Sequence, residues 1–272
     1  LISAKTDRSE FARGGMSRSG LGGQVLSPYD LTRTPGGSSG GTGAAVAANL
    51  ALIGTGSDTG QSIRSPSSAN SLVGTAASDF VGSGGVTVLS NGHYVVASPN
   101  WDNAAFANVG AVTWGSGLTG VSGAVSPANS LVGSVSGDGV GNVGVTALTN
   151  GNYVVCSSIW DNGAVNAAGA ATGANGATGI SGPVSAANSL VGSTSSDNVG
   201  SLGATALSNG NYVVMSPLWN RGATSDAGAA TWGNGATGVS GVVSIANSLV
   251  GSTASDRVGS GGTTALTNGN YV

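Results

Sequence analysis

The chain has 272 residues and a net charge of −3, with 7% charged residues, 5% aromatic residues and 50 glycines. An average soluble domain is about 25% charged and about 7% Gly, so a long helical bundle or coiled coil is excluded, and the absence of a three-residue glycine period excludes collagen. Eight basic residues against eleven acidic ones, with no basic patch, exclude a nucleic-acid surface, while one cysteine (Cys156) and one histidine (His93) exclude an internal disulfide framework, a Cys-only zinc site and a multi-His metal centre.

The first segment, residues 1–74, carries six basic and four acidic residues; residues 75–272 carry two and seven, with no Lys and no Glu. So abrupt a shift marks a domain boundary or a join. In chain order, the segment shows AKTDRSEFA (4–12), SPYDLTRTP (27–35), a Gly/Ser block TRTPGGSSGGTG (32–43), and an Ala-rich stretch that predicts one helix over about 43–52. A second block, GTGSDTGQSIRSP (54–66), and SPSSANSLVG (65–74) follow. The most apolar run, Ala44–Ile53, is far shorter than the roughly 20 residues a bilayer helix needs, so no membrane span is expected. Leu1 is not an initiator Met and Val272 sits inside an apolar run, so the chain reads as a piece of something longer.

The remainder is periodic. NSLVG starts at Asn70, Asn129, Asn188 and Asn247, and Asn-Gly recurs at Asn91, Asn150, Asn209 and Asn268, each series stepping by 59. Asp79, Asp138, Asp197 and Asp256 keep the same step, as do Trp101, Trp160 and Trp219. This divides the chain into copies at 75–133, 134–192 and 193–251 and a partial copy at 252–272. Within a copy, residues 85–101 predict two strands around a two-residue type I′ Asn91-Gly92 turn. The run Val95–Ala97 predicts a strand buried on both faces. GAVTWG (110–115) predicts a third strand, and NSLVG (129–133) a fourth. Four short antiparallel strands per copy is the plan of a propeller blade, and three and a third blades cannot close a ring. The fold class expected is therefore mixed: a short α/β fragment followed by all-β, propeller-like repeats forming an incomplete propeller.

Several residues admit both a chemical and a structural reading. His93 aligns with Asn152, Asn211 and Asn270, which makes it a variable turn residue. Cys156 aligns with Ala97 and Met215, an apolar strand position. The Trp101 series is expected to pack between copies rather than to stack on a sugar. The Asp79 series is expected to bond nearby backbone N–H groups rather than a metal.

Two family resemblances enter on these residues. SLVGSTASDRVGSGGTTALTNGNYV (248–272) and ALSNGNYVVMSPLW…GAATWGNG in the preceding copy resemble the FG-GAP-type repeats of integrin-like β-propellers. Many such blades bind calcium through a carboxylate-rich hairpin loop; here the loop reads Asn-Gly-His or Asn-Gly-Asn, so no metal site is expected. GGSSGG and SDTGQSIR together resemble the signature of the amidase family, serine hydrolases that cleave carboxamides, with Ser38 and Ser62 24 residues apart as that pattern asks. The resemblance spans essentially all of residues 1–74.

That resemblance implies roles. Ser62 would be the nucleophile, and Ser38, on a cis peptide, would shuttle a proton between Ser62 and a lysine. The N–H groups of Thr59, Gly60, Gln61 and Ser62 would form the oxyanion hole. Gln61 stands where the family commonly has glycine. Asp58, Arg64, Gly36 and Gly37 would shape the loops. No cofactor is implied, and a small amide would be the substrate. The family's basic lysine lies upstream of GGSSGG; the single lysine here, Lys5, matches a different segment, so this polypeptide is expected to be inactive. The two halves meet where both read ANSLVG. Recombination through that short homology and a merger of two reading frames both account for it, and an artificial or broken fusion is the expectation. The other reading is a structural or binding repeat protein of the bacterial surface or exterior, with a protein or glycan partner the sequence does not identify. An amidase suggests the cytoplasm and a cysteine-poor repeat an exterior, so the compartment stays open.

Overall fold

A computed structural model describes residues 17–19, 23–28, 31–32, 34–35, 39–47, 72–104 and 106–272. Two units emerge: residues 1–73 with 116–124, and residues 74–115 with 125–272.

In the first unit, β1 (Arg18–Ser19) and β2 (Gly23–Gln24) form a short antiparallel pair. The helix α1 spans Gly40–Ala47. It starts three residues earlier than the alanine run predicts, because an outside acceptor compensates for its glycine-rich start. The Gly40 amide, one of the orphan donors of a first turn, donates to the buried Ser17 hydroxyl at 2.7 Å. Residues 48–52 of the expected helix lie outside the described residues. Within this unit β3 (Leu72–Val73) also pairs in parallel with a two-residue strand at Gly123–Ala124.

The repeats form a series of four-stranded antiparallel sheets. The first copy supplies β4 (Val86–Val88), β5 (Tyr94–Ser98), β6 (Ala111–Gly115), the Gly123–Ala124 strand as β7, and β8 (Ser130–Val132). The second supplies β9 (Gly144–Ala147), β10 (Tyr153–Ser157), β11 (Ala170–Ala174), β12 (Gly182–Pro183) and β13 (Leu190–Val191). The third supplies β14 (Ala204–Ala206), β15 (Tyr212–Ser216), β16 (Ala229–Gly233), β17 (Gly241–Val242) and β18 (Ser248–Val250). The sheet orders are β4-β5-β6-β8, β9-β10-β11-β13 and β14-β15-β16-β18. The first two are extended by one strand from the following copy, β12 beside β8 and β17 beside β13, both parallel. The expectation of purely antiparallel blades is corrected here. The β8 and β13 edges are each closed off by a parallel pairing 51 residues further along the chain. No pairing among the described residues returns the third sheet to the first, so the strands form no closed propeller.

Strand chemistry explains the packing. Successive side chains of a strand point to opposite faces. In β10, Tyr153 and Val155 join a core with Val95, Val112 and Leu131 of the first copy. Val154 and Cys156 face the other way, into a core with Tyr212, Val214 and Trp219 of the third. Both faces of the middle sheet are therefore dry, as its continuous apolar run requires. Each fully buried Val or Leu contributes roughly 1.5–3 kcal/mol. Trp160 and Trp219 sit in these inter-copy cores, as expected of the series.

The hairpin turn differs from the expected two-residue form. Leu89 and Gly92 close a turn through Gly92 N–H to Leu89 O (3.0 Å), and the Leu89 amide bonds His93 O (2.8 Å). Only Gly92 has positive φ, +86°. The loop is thus a three-residue turn with glycine in the left-handed position. Asn91 instead uses its side chain, whose Oδ1 accepts the His93 amide at 3.1 Å.

Candidate functional site

The residues that the amidase signature singles out (Ser38, Ser62, Asp58, Thr59, Gly60, Gln61, Arg64, Gly36 and Gly37) all lie outside the described residues. What is described beside them is the start of α1. Ser39, next to Ser38, is buried, and its hydroxyl has no hydrogen-bond partner among the described residues. A Cβ at Gly40 would collide with the Ser17 side chain, so glycine is required where the helix starts against that serine. Sequence reasoning passed over Ser17, an isolated serine that carries no pattern, and over Ser39, to which the GGSSGG signature gave no role.

The repeats carry their polar chemistry in one motif per copy. In the second copy, Asp138 Oδ2 accepts the amides of Ser134 (2.7 Å) and Val135 (2.9 Å), while Oδ1 accepts the amide of Asp161 (3.0 Å). Asp79 and Asp197 repeat this with Thr75, Ala76 and Asp102, and with Ser193, Thr194 and Asn220. One carboxylate thus staples its own turn to a loop 23 residues on. Beside it Asp161 Oδ1 accepts the Ala167 amide at 2.7 Å. Asp79, Asp138 and Asp197 each accept three backbone amides, which matches the turn role expected for the series. Among the described residues no three His, Cys, Asp or Glu side chains gather where they could hold a metal ion. Asp256, at the last copy, is held below the ordinary carboxylate range by the Thr253 hydroxyl and then by the Thr253 and Ser252 amides.

Other groups are apolar in function. Burial pushes the Cys156 thiol up to about 12, which leaves no thiolate for nucleophilic work. Burial likewise pushes the Tyr212 phenol up to about 12, although its oxygen accepts the Val239 amide at 3.2 Å. The His93 ring sits 4.9 Å from the Trp114 ring at a tilt of 57°. No helix among the described residues is long and apolar enough to cross a membrane.

A second set of bonds runs between copies. Thr87 Oγ1 donates to Val145 O (3.4 Å), Thr146 Oγ1 to Ala204 O (3.1 Å), and Ser208 Oγ to Leu266 O (2.9 Å), each 58 residues on. Asn91 Nδ2 reaches Gly151 O at 3.3 Å and Asn209 Nδ2 reaches Gly269 O at 3.1 Å, each 60 residues on. Sequence inspection found the period but not these bonds, because Ser, Thr and Asn in short strands and turns read as ordinary solvated positions.

Comparison with known proteins follows this division. A family model described as a repeat of unknown function (DUF5650) matches residues 88–142, 147–201 and 206–260, more than half of the chain. The chain therefore belongs to the family of proteins built from that repeat. The amidase family model matches residues 1–81. Over 74 residues the chain is 53% identical to the A subunit of glutamyl-tRNA(Gln) amidotransferase from Chlorobium chlorochromatii (strain CaD3), covering 27% of this chain and 16% of that protein. It is 50% identical over 74 residues to the protein of the same name from Sulfurisphaera tokodaii, with the same coverage. Against that of Deinococcus deserti it is 47% identical over 74 residues, covering 27% and 15%. The chain thus spans about a sixth of the length of these curated relatives.

Proposed function

We propose that residues 75–272 act as a structural repeat scaffold, in which each copy is held by the next rather than folding alone. The bonds that step from copy to copy by 58 to 60 residues carry this reading. The cores between sheets support it further, since each is built from two copies. The blade-like description, with an order of strands as in a propeller, rests on the antiparallel order within each sheet. Arrays of this kind gain stability with each neighbour interface. Removing residues 134–192 from the chain is expected to lower both the urea midpoint and the m-value. An unchanged midpoint would show that the copies fold independently and would end the scaffold reading.

A second reading is favoured by the amidase match at residues 1–81. We infer that this segment belongs to a carboxamide hydrolase active site, in which Ser62 attacks the amide carbonyl and Ser38 relays its proton towards a lysine. The amides of Thr59, Gly60, Gln61 and Ser62 would receive the oxyanion. The one lysine of this sequence, Lys5, falls outside the position that the signature gives to the base. The 272-residue polypeptide is therefore expected to show no amide turnover and no labelling of Ser62 by a fluorophosphonate. Labelling that disappears in Ser62→Ala, with turnover lost alongside, would refute the inactivity.

A further inference from the structure

We propose that the outer edge of β18 is an acceptor for the two-residue, glycine-led strand of another copy of the repeat, equivalent to β7, β12 and β17. The proposal rests on the scaffold reading and adds its docking surface.

Every earlier strand equivalent to β18 has such a partner in one register. Leu72 pairs with Gly123, Leu131 with Gly182, and Leu190 with Gly241. The accompanying bonds are also repeated: Val184 N–H to Val132 O and Val243 N–H to Val191 O, both 3.0 Å. The Gly241 amide bonds Ala186 O at 3.0 Å. By the same 59-residue step, the carbonyls of Ile245 and Val250 are the corresponding acceptors. β18 is bonded on one side only, to β16.

The side chains at this edge are uncovered in the same way. Leu131 and Leu190 are 0% exposed, whereas Leu249 is 68% exposed. Trp114 packs against Gly179 of the following copy and donates its indole N–H to Gly176 O at 2.8 Å. Its equivalent two copies on, Trp232, is 44% exposed. One edge therefore lacks a backbone partner, a cover for a leucine and a cover for an indole; in the first copy a single segment of the next copy supplies all three, and in the second, where Gly173 replaces the tryptophan, it supplies the first two.

The occupant is specified by shape. The incoming glycine has φ of +97°, +91° and +91° at Gly123, Gly182 and Gly241, a backbone that a side chain disfavours. A second molecule of this chain is a poor donor, because β7, β12 and β17 are already paired with β3, β8 and β13. The mode is strand addition to an open sheet edge, with main-chain bonds giving affinity and the side-chain contacts giving selectivity.

The test uses the whole chain and a synthetic peptide with the sequence of residues 234–247, which supplies the equivalents of Gly176, Gly179 and the strand itself. The peptide has no tryptophan, so a blue shift of chain fluorescence reports the covering of Trp232. The expected result is a saturable shift. A peptide carrying Val243→Pro, which lacks the donor to Val250 O, and one carrying Gly241→Ala should each bind at least tenfold more weakly. Leu249→Asp in the chain should weaken binding by a similar factor. No saturable shift at millimolar peptide, or equal binding of the Val243→Pro peptide, overturns the proposal. So does a concentration-dependent dimer of the chain alone that protects Leu249. Stability that rises with copy number while the peptide fails to bind would retain the scaffold and remove only this acceptor.

Discussion

Replacing Asp138 by alanine should cost about 3 kcal/mol of unfolding free energy, a large fraction of what a domain of this size has to lose. The carboxylate accepts three backbone amides and is fully buried. An unmet donor costs about 1–3 kcal/mol when it stays dry. The sum is held down because Ser134 and Val135 are themselves exposed and water can reach their amides. Asp138→Asn keeps one acceptor oxygen and should lose roughly half as much. Asp256→Ala is the control. It makes the same two turn bonds, to Ser252 and Thr253, but at an exposed position where water replaces them. Urea midpoints at constant m-value are the measurement. Equal losses at Asp138 and Asp256 would show that burial of the staple contributes nothing.

The second large effect is expected at Gly169. Its φ is +74°, and a Cβ there would strike the Val199 backbone amide, to which Gly169 is bridged in parallel. The same arrangement recurs at Gly110 with Val140 and at Gly228 with Val258. A left-handed backbone costs an alanine about 1–2 kcal/mol. Forcing backbone apart in a packed site adds about 1–3 kcal/mol, so Gly169→Ala should lose about 3 kcal/mol. Gly163→Ala separates the two contributions. Its φ is +63° but nothing stands within 4 Å of the added atom, so it should lose only about 1 kcal/mol. Thermal unfolding of both variants checks this, and equal shifts would mean that the close approach to Val199 carries no energy.

These sites show which parts of the molecule were legible beforehand. β5, β10 and β15 could be read because their apolar runs are long enough to be buried on both faces. The 59-residue period could be read because Asn, Asp and Trp recur at fixed steps. β7, β12 and β17 could not, since a two-residue strand has no periodicity, and Pro183 within β12 argues against a strand until it is seen at a sheet edge. The turn at Asn91 was misread because the dipeptide fixes where the glycine goes left-handed but not how the asparagine side chain bonds. The Thr113–Ser130 and Thr172–Ser189 hydroxyl pairs, each 2.7 Å and buried, were invisible because their members are 17 residues apart in segments that otherwise read as apolar. At the amidase-like end, two motifs at a fixed 24-residue separation were legible as letters, and the comparisons recover the same segment. Its serines, Ser38 and Ser62, lie outside the described residues.

The bonds from one copy to the next have a genetic consequence. Thr87 and Thr146, or Asn91 and Asn209, meet their acceptors only because the chain advances by a constant amount per copy. Slippage or unequal exchange that adds or removes a whole 59-residue unit leaves every acceptor beneath its donor. A change of any other length within the strands alters the spacing of every donor and acceptor that lie on either side of it. Alleles of such a gene should therefore differ in length by multiples of 177 nucleotides, a ladder of discrete sizes, and selection on array length would act through copy number alone.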